Sequence, residues 1–583
     1  MFDNKKIVFS VVILFGAYFV DYYFIHNGEN TTLDMSNGKL KGKVSFSRGG
    51  REFYEFLGIP YADVPVGKSR FLSPKPNKAW TGVRDATKYQ SKCMQVDMLT
   101  NVKGGSEDCL YLNVFSPKTL GEIPTLFPVI VYFHGGHFMN GDARMFGPKY
   151  FMDENVVLVS VNYRLASLGF LNAGNKYARG NQGLKDQVQA LKWIQKNIAY
   201  FSGDPNRVVI FGQSAGASSV HYHMLSKMST GLFHGVISAS GTASSPFAFQ
   251  KQPIEQAKKL GKKLRCPSNR KTEAMVACLG QAEVQRLVES HREAVHFLHD
   301  PIAMYGPTVE VVDDNEAFLT KNPVQMLKDG EIVNNVPWIV GVTTNEGLAN
   351  AATILRNSSM VQVFEQNWED NFPKVFIYKS EDSSVHRAIR EFYYGKSEDN
   401  QFVSTEKEGQ LSKMFGDRMH LTPTHNSAIA HAKQTAPVYL YQFAQPSAMS
   451  YADVIYNQNG ILPPVIEIGA YLAYKWVVRL FSDGPANKGV SHFDDQTFFF
   501  NIPFMPEYKE GDENYALSRD LIKLWVSFAK DGKPSDFNGV TWNPIDSEAK
   551  SRELKYLEIS TNPRIITEPF FDRVQFWNSL NLR

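Results

Sequence analysis

The chain has 583 residues, more than one ordinary core needs, so it holds either one large domain or several. Apolar residues make up 43% and charged residues 21%, which excludes a disordered chain, and 41 Phe and 26 Tyr favour large buried surfaces. Sixty-two Lys and Arg against 59 Asp and Glu leave +3 with no basic runs, which argues against nucleic acid as a partner, and one long apolar run is too few for a polytopic membrane protein.

That run lies at the start. Ile7 to Val20 is apolar apart from Ser10 and Tyr18 and follows Lys5 and Lys6. Residues 1–28 therefore read as a signal peptide, or as a signal-anchor because Tyr22-Tyr23-Phe24-Ile25 extends the apolar stretch past Asp21. Either way the expected location of the remaining residues, 29–583, is outside the cell, secreted or anchored facing outward. Four cysteines allow three pairings, and Cys93/Cys109 and Cys266/Cys278 form two short-range couples with no odd thiol. Asn30-Thr31-Thr32 and Asn357-Ser358-Ser359 are glycosylation sequons at Asn30 and Asn357. The C-terminus carries no luminal retention signal. Neither C-x-x-C nor H-E-x-x-H occurs, so nothing in the sequence asks for a metal.

No repeat or low-complexity linker divides residues 29–583, which predicts a single domain. Val129 to Phe133 is a fully apolar strand ended by His134-Gly135-Gly136, and Val156 to Val161 is a second. Gly183 to Tyr200 has helical spacing at Leu184, Val188, Leu191 and Ile194. Val208 to Phe211 is a third buried strand, and further strands are expected at Gly235 to Ser240, Val336 to Val342 and Val438 to Phe443. Apolar strands alternating with helices predict an α/β fold, a mostly parallel sheet covered by helices on both faces, with functional loops at the strands' carboxyl ends.

Gly212-Gln213-Ser214-Ala215-Gly216 falls at such an end, between a buried strand and a helix. A turn this sharp strains the serine backbone and needs small flanking residues, and it projects Oγ outward as a nucleophile. A nucleophilic serine needs a base and a group that orients the base, and in this arrangement they follow in the order acid, then histidine. Glu346, just past the strand ending at Val342, is the best-placed acid. Among the later histidines His492 lies in the loop Gly489 to Asp495, whereas His386, His420, His425 and His431 sit in polar or helix-like stretches expected at the surface. The N–H of Ala215 and the His134-Gly135-Gly136-His137-Phe138 loop are the candidate donors for an oxyanion.

These motifs stand with Gly58-Ile59-Pro60-Tyr61-Ala62, Glu107-Asp108-Cys109-Leu110-Tyr111-Leu112-Asn113-Val114, Asn162-Tyr163-Arg164 and Gly180-Asn181-Gln182-Gly183. Over about residues 33 to 577 the chain resembles the type-B carboxylesterases of the carboxylesterase/cholinesterase family. The resemblance implies an α/β-hydrolase fold, a triad of Ser214, Glu346 and His492, and disulfides Cys93–Cys109 and Cys266–Cys278. It also implies hydrolysis of small carboxylic esters through an acyl-enzyme, with no cofactor.

The chain departs from the family at His137, where most relatives carry a third glycine. The His137 amide can still complete an oxyanion hole with Gly136 and Ala215, but its imidazole leans over Ser214. That implies a narrower site, or a second base able to turn over organophosphates. The stretch from Met94 to Asp108 has no Phe, Tyr or Trp, so it lacks the ring that holds a quaternary ammonium in cholinesterases. By family position Phe247 lines the acyl pocket. The elbow with its Gln213 also resembles insect juvenile hormone esterases, and an esterase-like adhesion or binding protein is the remaining alternative.

Overall fold

Side chains alternate across a β-strand, so a strand apolar at every position must be buried on both faces. Val129, Val131 and Phe133 enter one hydrophobic core, and Ile130 and Tyr132 enter another on the opposite face. The computed structural model describes residues 30–118, 125–268, 272–290, 304–312, 314–379, 382–396, 402–458, 462–479, 489–503, 505–548 and 553–582. The leader expected at residues 1–28 lies outside them. Among the described residues no helix is long and apolar enough to cross a membrane.

The central sheet has 13 strands. They are β1 (Asn30–Met35), β2 (Gly38–Phe46), β3 (Glu52–Pro60), β4 (Val83–Asp85), β5 (Tyr111–Ser116), β6 (Phe127–Phe133), β7 (Val157–Val161), β8 (Gly203–Gln213), β9 (Gly235–Ala239), β10 (Trp338–Thr343), β11 (Val438–Phe443), β12 (Lys555–Ile559) and β13 (Arg564–Thr567). Their spatial order is β1-β2-β3-β5-β7-β6-β8-β9-β10-β11-β12-β13, with β4 beside β2. Every pairing from β7 to β12 along this order is parallel, whereas the flanking pairings are antiparallel except that of the short β4, which lies parallel to β2. The parallel centre is the part that reads as unbroken apolar runs.

Helices cover both faces. The predicted helix is α1 (Gln182–Asn197), continued by a 3-10 turn to Phe201. Its Leu191 and Ile194 share a core with Val220 and Met224 of α2 (Ala215–Leu225) and with Val208, Val236 and Val340 of the sheet. On the other face Leu521, Trp525 and Phe528 of α5 (Tyr515–Asp531) pack with Tyr132, Phe211 and Tyr439. Each such fully buried side chain contributes about 1.5–3 kcal/mol, which fixes the register of the sheet and hence the strand ends. Two further helices matter for the site: α3 (Glu408–Gly416) and α4 (Thr422–Ala432), joined by a π-helical turn, Asp417–Leu421. The disulfides Cys93–Cys109 and Cys266–Cys278 are both formed, which leaves no free cysteine among the described residues.

Candidate active site

Four strand ends converge. β6 ends at Phe133 before the His134-Gly135-Gly136 loop, β8 ends at Gln213 before Ser214, β9 ends at Ala239 before Ser240, and β10 ends at Thr343 three residues before Glu346. Ser214 has φ 58° and ψ −121°, a sparsely populated conformation that costs of the order of 1–3 kcal/mol. Its N–H is tied to Ala239 O at 2.9 Å. The flanking glycines let the chain pass itself: a Cβ on Gly212 would stand 2.2 Å from the Gly216 carbonyl, and one on Gly216 would stand 1.9 Å from Phe133 O. The side chain of Ser214 is nearly enclosed, and its Oγ makes no hydrogen bond.

Glu346 and His492 meet. His492 Nδ1 lies 2.7 Å from Glu346 Oε2. The other carboxylate oxygen, Oε1, accepts from Ser240 Oγ at 2.5 Å and from the Thr343 N–H at 2.7 Å. Burial alone would raise the Glu346 carboxyl, but the His420 and His492 rings and the Ser240 hydroxyl outweigh it and hold the group down at about 2. An ionised Glu346 can only accept, so the neutral imidazole of His492 has its proton on Nδ1 and a lone pair at Nε2. That lone pair faces Gln213, whose Nε2 is 3.1 Å away. The geometry thus joins His492 to Glu346 and sets it beside the elbow, but the hydrogen bond at Nε2 goes to the residue before the serine.

The loop after β6 turns through left-handed φ at Gly136 (108°), His137 (55°) and Phe138 (62°). It lies against Ser214, because a Cβ on Gly135 would be 3.0 Å from Ser214 Cβ. The His137 ring meets the edge of Phe247 at 5.7 Å, Phe247 packs on His420 at 5.3 Å, and His420 stacks on His492 at 4.4 Å. Phe247 is therefore built into a row of rings that runs from the loop to the imidazole.

The carboxylesterase family profile matches residues 29–577. The chain belongs to the carboxylesterase family. A carboxylic ester hydrolase of Bombus ignitus is 33% identical over 585 residues, covering 98% of each chain. Esterase FE4 of Myzus persicae is 34% identical over 542 residues, covering 90% of this chain and 89% of its own. The crystal structure of juvenile hormone esterase from Manduca sexta, with OTFP covalently attached, superposes with a TM-score of 0.78 at 25% identity, covering 95% of this chain and 99% of that one. This protein is thus a carboxylesterase with an α/β-hydrolase fold.

In this carboxylesterase the four histidines expected at the surface are all buried. Each has a partner that sequence does not reveal. His386 Nδ1 meets Tyr378 OH at 2.6 Å, His420 Nδ1 meets Ser240 O at 3.0 Å, His425 Nδ1 is 3.3 Å from Tyr556 OH, and His431 Nε2 is 2.8 Å from His221 Nε2. Burial lowers all four, His420 to about 4 with His492 adding to the effect, so they are neutral at pH 7 and satisfied by hydrogen bonds. His420 is the consequential one. The only sequence hint is the apolar pair Met419 and Leu421 around it, since a π-helical turn has no periodicity signature. Ser240, expected as the last residue of a strand, instead follows it with φ 61° and turns its hydroxyl to Glu346. Glu346, His420 and His492 have donor atoms within 4.8 Å of one another, the one trio of candidate metal ligands among the described residues. Their hydrogen bonds already employ them. Both sequon asparagines are exposed, and Asn357 caps a helix by accepting from the Ser359 N–H.

Proposed function

We propose that this carboxylesterase works through a Ser214 acyl-enzyme. Ser214 Oγ forms a bond to the ester carbonyl carbon as its proton passes to His492 Nε2, and the carbonyl π electrons move onto oxygen. Glu346 orients the imidazole and balances the charge it gains. The N–H groups of Gly136, His137 and Ala215 receive the oxyanion, at about 3 kcal/mol per donor. Collapse expels the alcohol with the proton from His492, and water repeats the sequence to release the acid.

The 2.7 Å contact between His492 and Glu346, set beside a strained serine, is the observation that supports this reading most strongly. The adduct on the Manduca sexta esterase supports a covalent mechanism. A fluorophosphonate probe tests it: wild type should label and lose activity together, whereas Ser214→Ala should do neither. Labelling that survives Ser214→Ala overturns the assignment.

The substrates proposed are small to medium carboxylic esters, because the imidazole of His137, whose ring meets the edge of Phe247, stands where a third glycine would leave room. A role in xenobiotic or organophosphate detoxification follows if His137 serves as a second base on a phosphylated Ser214. Recovery after organophosphate treatment, compared between wild type and His137→Gly, checks this; equal recovery removes it. Likeness to the Manduca sexta enzyme supports juvenile hormone as a second reading. A hydrolysis assay showing no preference for the hormone over naphthyl esters disposes of it. The charged-then-apolar N-terminus and the two disulfides support secretion, or anchoring that faces outward. Recovery of the activity in culture medium, with a mobility shift on deglycosylation, tests that.

A further inference from the structure

We propose that Gln213 is a positioning residue which competes with Ser214 for the lone pair of His492, so that the resting enzyme holds its base capped. The inference rests on the acyl-enzyme reading and goes beyond it. Gln213 is the last residue of β8 and only 2% exposed, so its carboxamide has no solvent to turn to. Its Nε2 sits 3.1 Å from His492 Nε2. Glu346, held ionised, accepts a hydrogen bond from Nδ1–H at 2.7 Å, so in the neutral imidazole Nε2 is the acceptor and the amide is the donor. The amide oxygen lies close against the loop after β6, where a Cβ on Gly135 would stand 2.8 Å from Gln213 Oε1. The group therefore sits between the base and the oxyanion loop, bonded to the former and packed against the latter. Ser214 Oγ, meanwhile, has no hydrogen bond.

One lone pair cannot take two linear donors. Attack by Ser214 requires its hydroxyl to donate to His492 Nε2, and the Gln213 N–H must give way first. Once the proton has moved, Nε2 is a donor, and the amide nitrogen has nothing to offer it. Gln213 thus favours the neutral imidazole over the imidazolium. The charged and titratable groups facing that imidazole are Glu346 at Nδ1, His420 stacked on the ring, and Asp495, whose carboxylate couples to both His492 and Glu346. Gln213 is the uncharged member of this set and the one in contact with Nε2.

The test is the second-order rate of Ser214 labelling by a fluorophosphonate, measured against pH in the full-length enzyme. Gln213→Met keeps the length of the side chain and removes the donor, and labelling at pH 8 should rise by about 2–10-fold, the worth of one such hydrogen bond. Gln213→Glu replaces the amide with a carboxylate that supports the imidazolium. Its acidic limb should move up by about one pH unit. Labelling no faster in Gln213→Met, or an acidic limb in Gln213→Glu that coincides with wild type, overturns the proposal. Should Gln213→Met fail to fold, the acidic limb of Gln213→Glu decides alone. A wild type that never labels removes the acyl-enzyme reading and this proposal together. A wild type that labels while both variants match it removes this proposal only.

Discussion

The ring of His420 stacks on that of His492 with centroids 4.4 Å apart and planes tilted by 36°. The contact belongs to a chain of bonds: His420 Nδ1 donates to Ser240 O at 3.0 Å, and Ser240 Oγ donates to Glu346 Oε1 at 2.5 Å. The π-helical turn between α3 and α4 thereby braces the acid and the imidazole at once. His420→Phe keeps a flat ring over His492 and removes the donor to Ser240 O. The expected result is a fall in kcat/KM of about tenfold, the equivalent of one such bond, together with a lower melting temperature. Steady-state assays and thermal unfolding check it. An unchanged kcat/KM would show that the brace does not reach the proposed base.

Ser240→Ala removes one of the two hydrogen bonds at Glu346 Oε1 and leaves the Thr343 N–H. Glu346 is held below its unfolded value of 4.5, at about 2, so it contributes stability above pH 4.5 that is lost as pH falls towards 2. Without the serine hydroxyl this contribution shrinks. The variant should melt below wild type at pH 7, and the gap should narrow as the pH is lowered through that window. A gap that stays constant with pH would assign the loss to packing instead of to the carboxylate.

Asp495 works in the opposite direction. Burial, with Glu346 adding to it, raises this carboxyl from 3.8 to about 7. The folded state then holds a proton that the unfolded chain has released, so stability declines as pH rises from about 4 to about 7 and stays level beyond. Asp495→Asn removes that decline and should stabilise the protein at pH 8, by about 4 kcal/mol at most. Unfolding curves at pH 4 and pH 8 should coincide with wild type at the first and exceed it at the second.

The parallel centre and the elbow were legible in the sequence for a single reason: strands buried on both faces read as unbroken apolar runs, and the glycines at 212 and 216 punctuate them. Val129 to Phe133, Gly235 to Ala239 and Val438 to Phe443 fall within a residue or two of the expected strands. The antiparallel flanks were not legible, because strands such as β1 and β13 are half exposed and carry a mixed pattern that a loop can share. Glu346 and His492 could be chosen because each follows a recognisable strand or glycine-rich turn. His420 could not, since its importance lies in a ring contact across 72 positions of chain. Nor could the orientation of Gln213, which depends on which proton His492 carries.

Gly216 and Gly409 separate two uses of glycine in one molecule. Both have negative φ, so backbone freedom does not distinguish them. At Gly216 a Cβ would stand 1.9 Å from Phe133 O and 2.9 Å from His134 O, backbone atoms of β6 and of the loop after it that cannot step aside without moving the sheet. At Gly409, in α3, nothing lies within 4 Å of the added carbon. Gly216→Ala should therefore push α2 off the sheet and displace the loop that faces Ser214. Labelling of Ser214 should fall more than about tenfold and the melting temperature should drop, since forcing one carbon into a packed interior already costs about 1–3 kcal/mol where side chains can yield. Gly409→Ala should instead raise stability by about 0.4–1 kcal/mol, because alanine has fewer unfolded conformations to lose and helical φ suits it. A Gly216→Ala enzyme that labels and melts like wild type would mean that the strand-to-helix turn is looser than these distances require, and the strained geometry of Ser214 would lose its explanation.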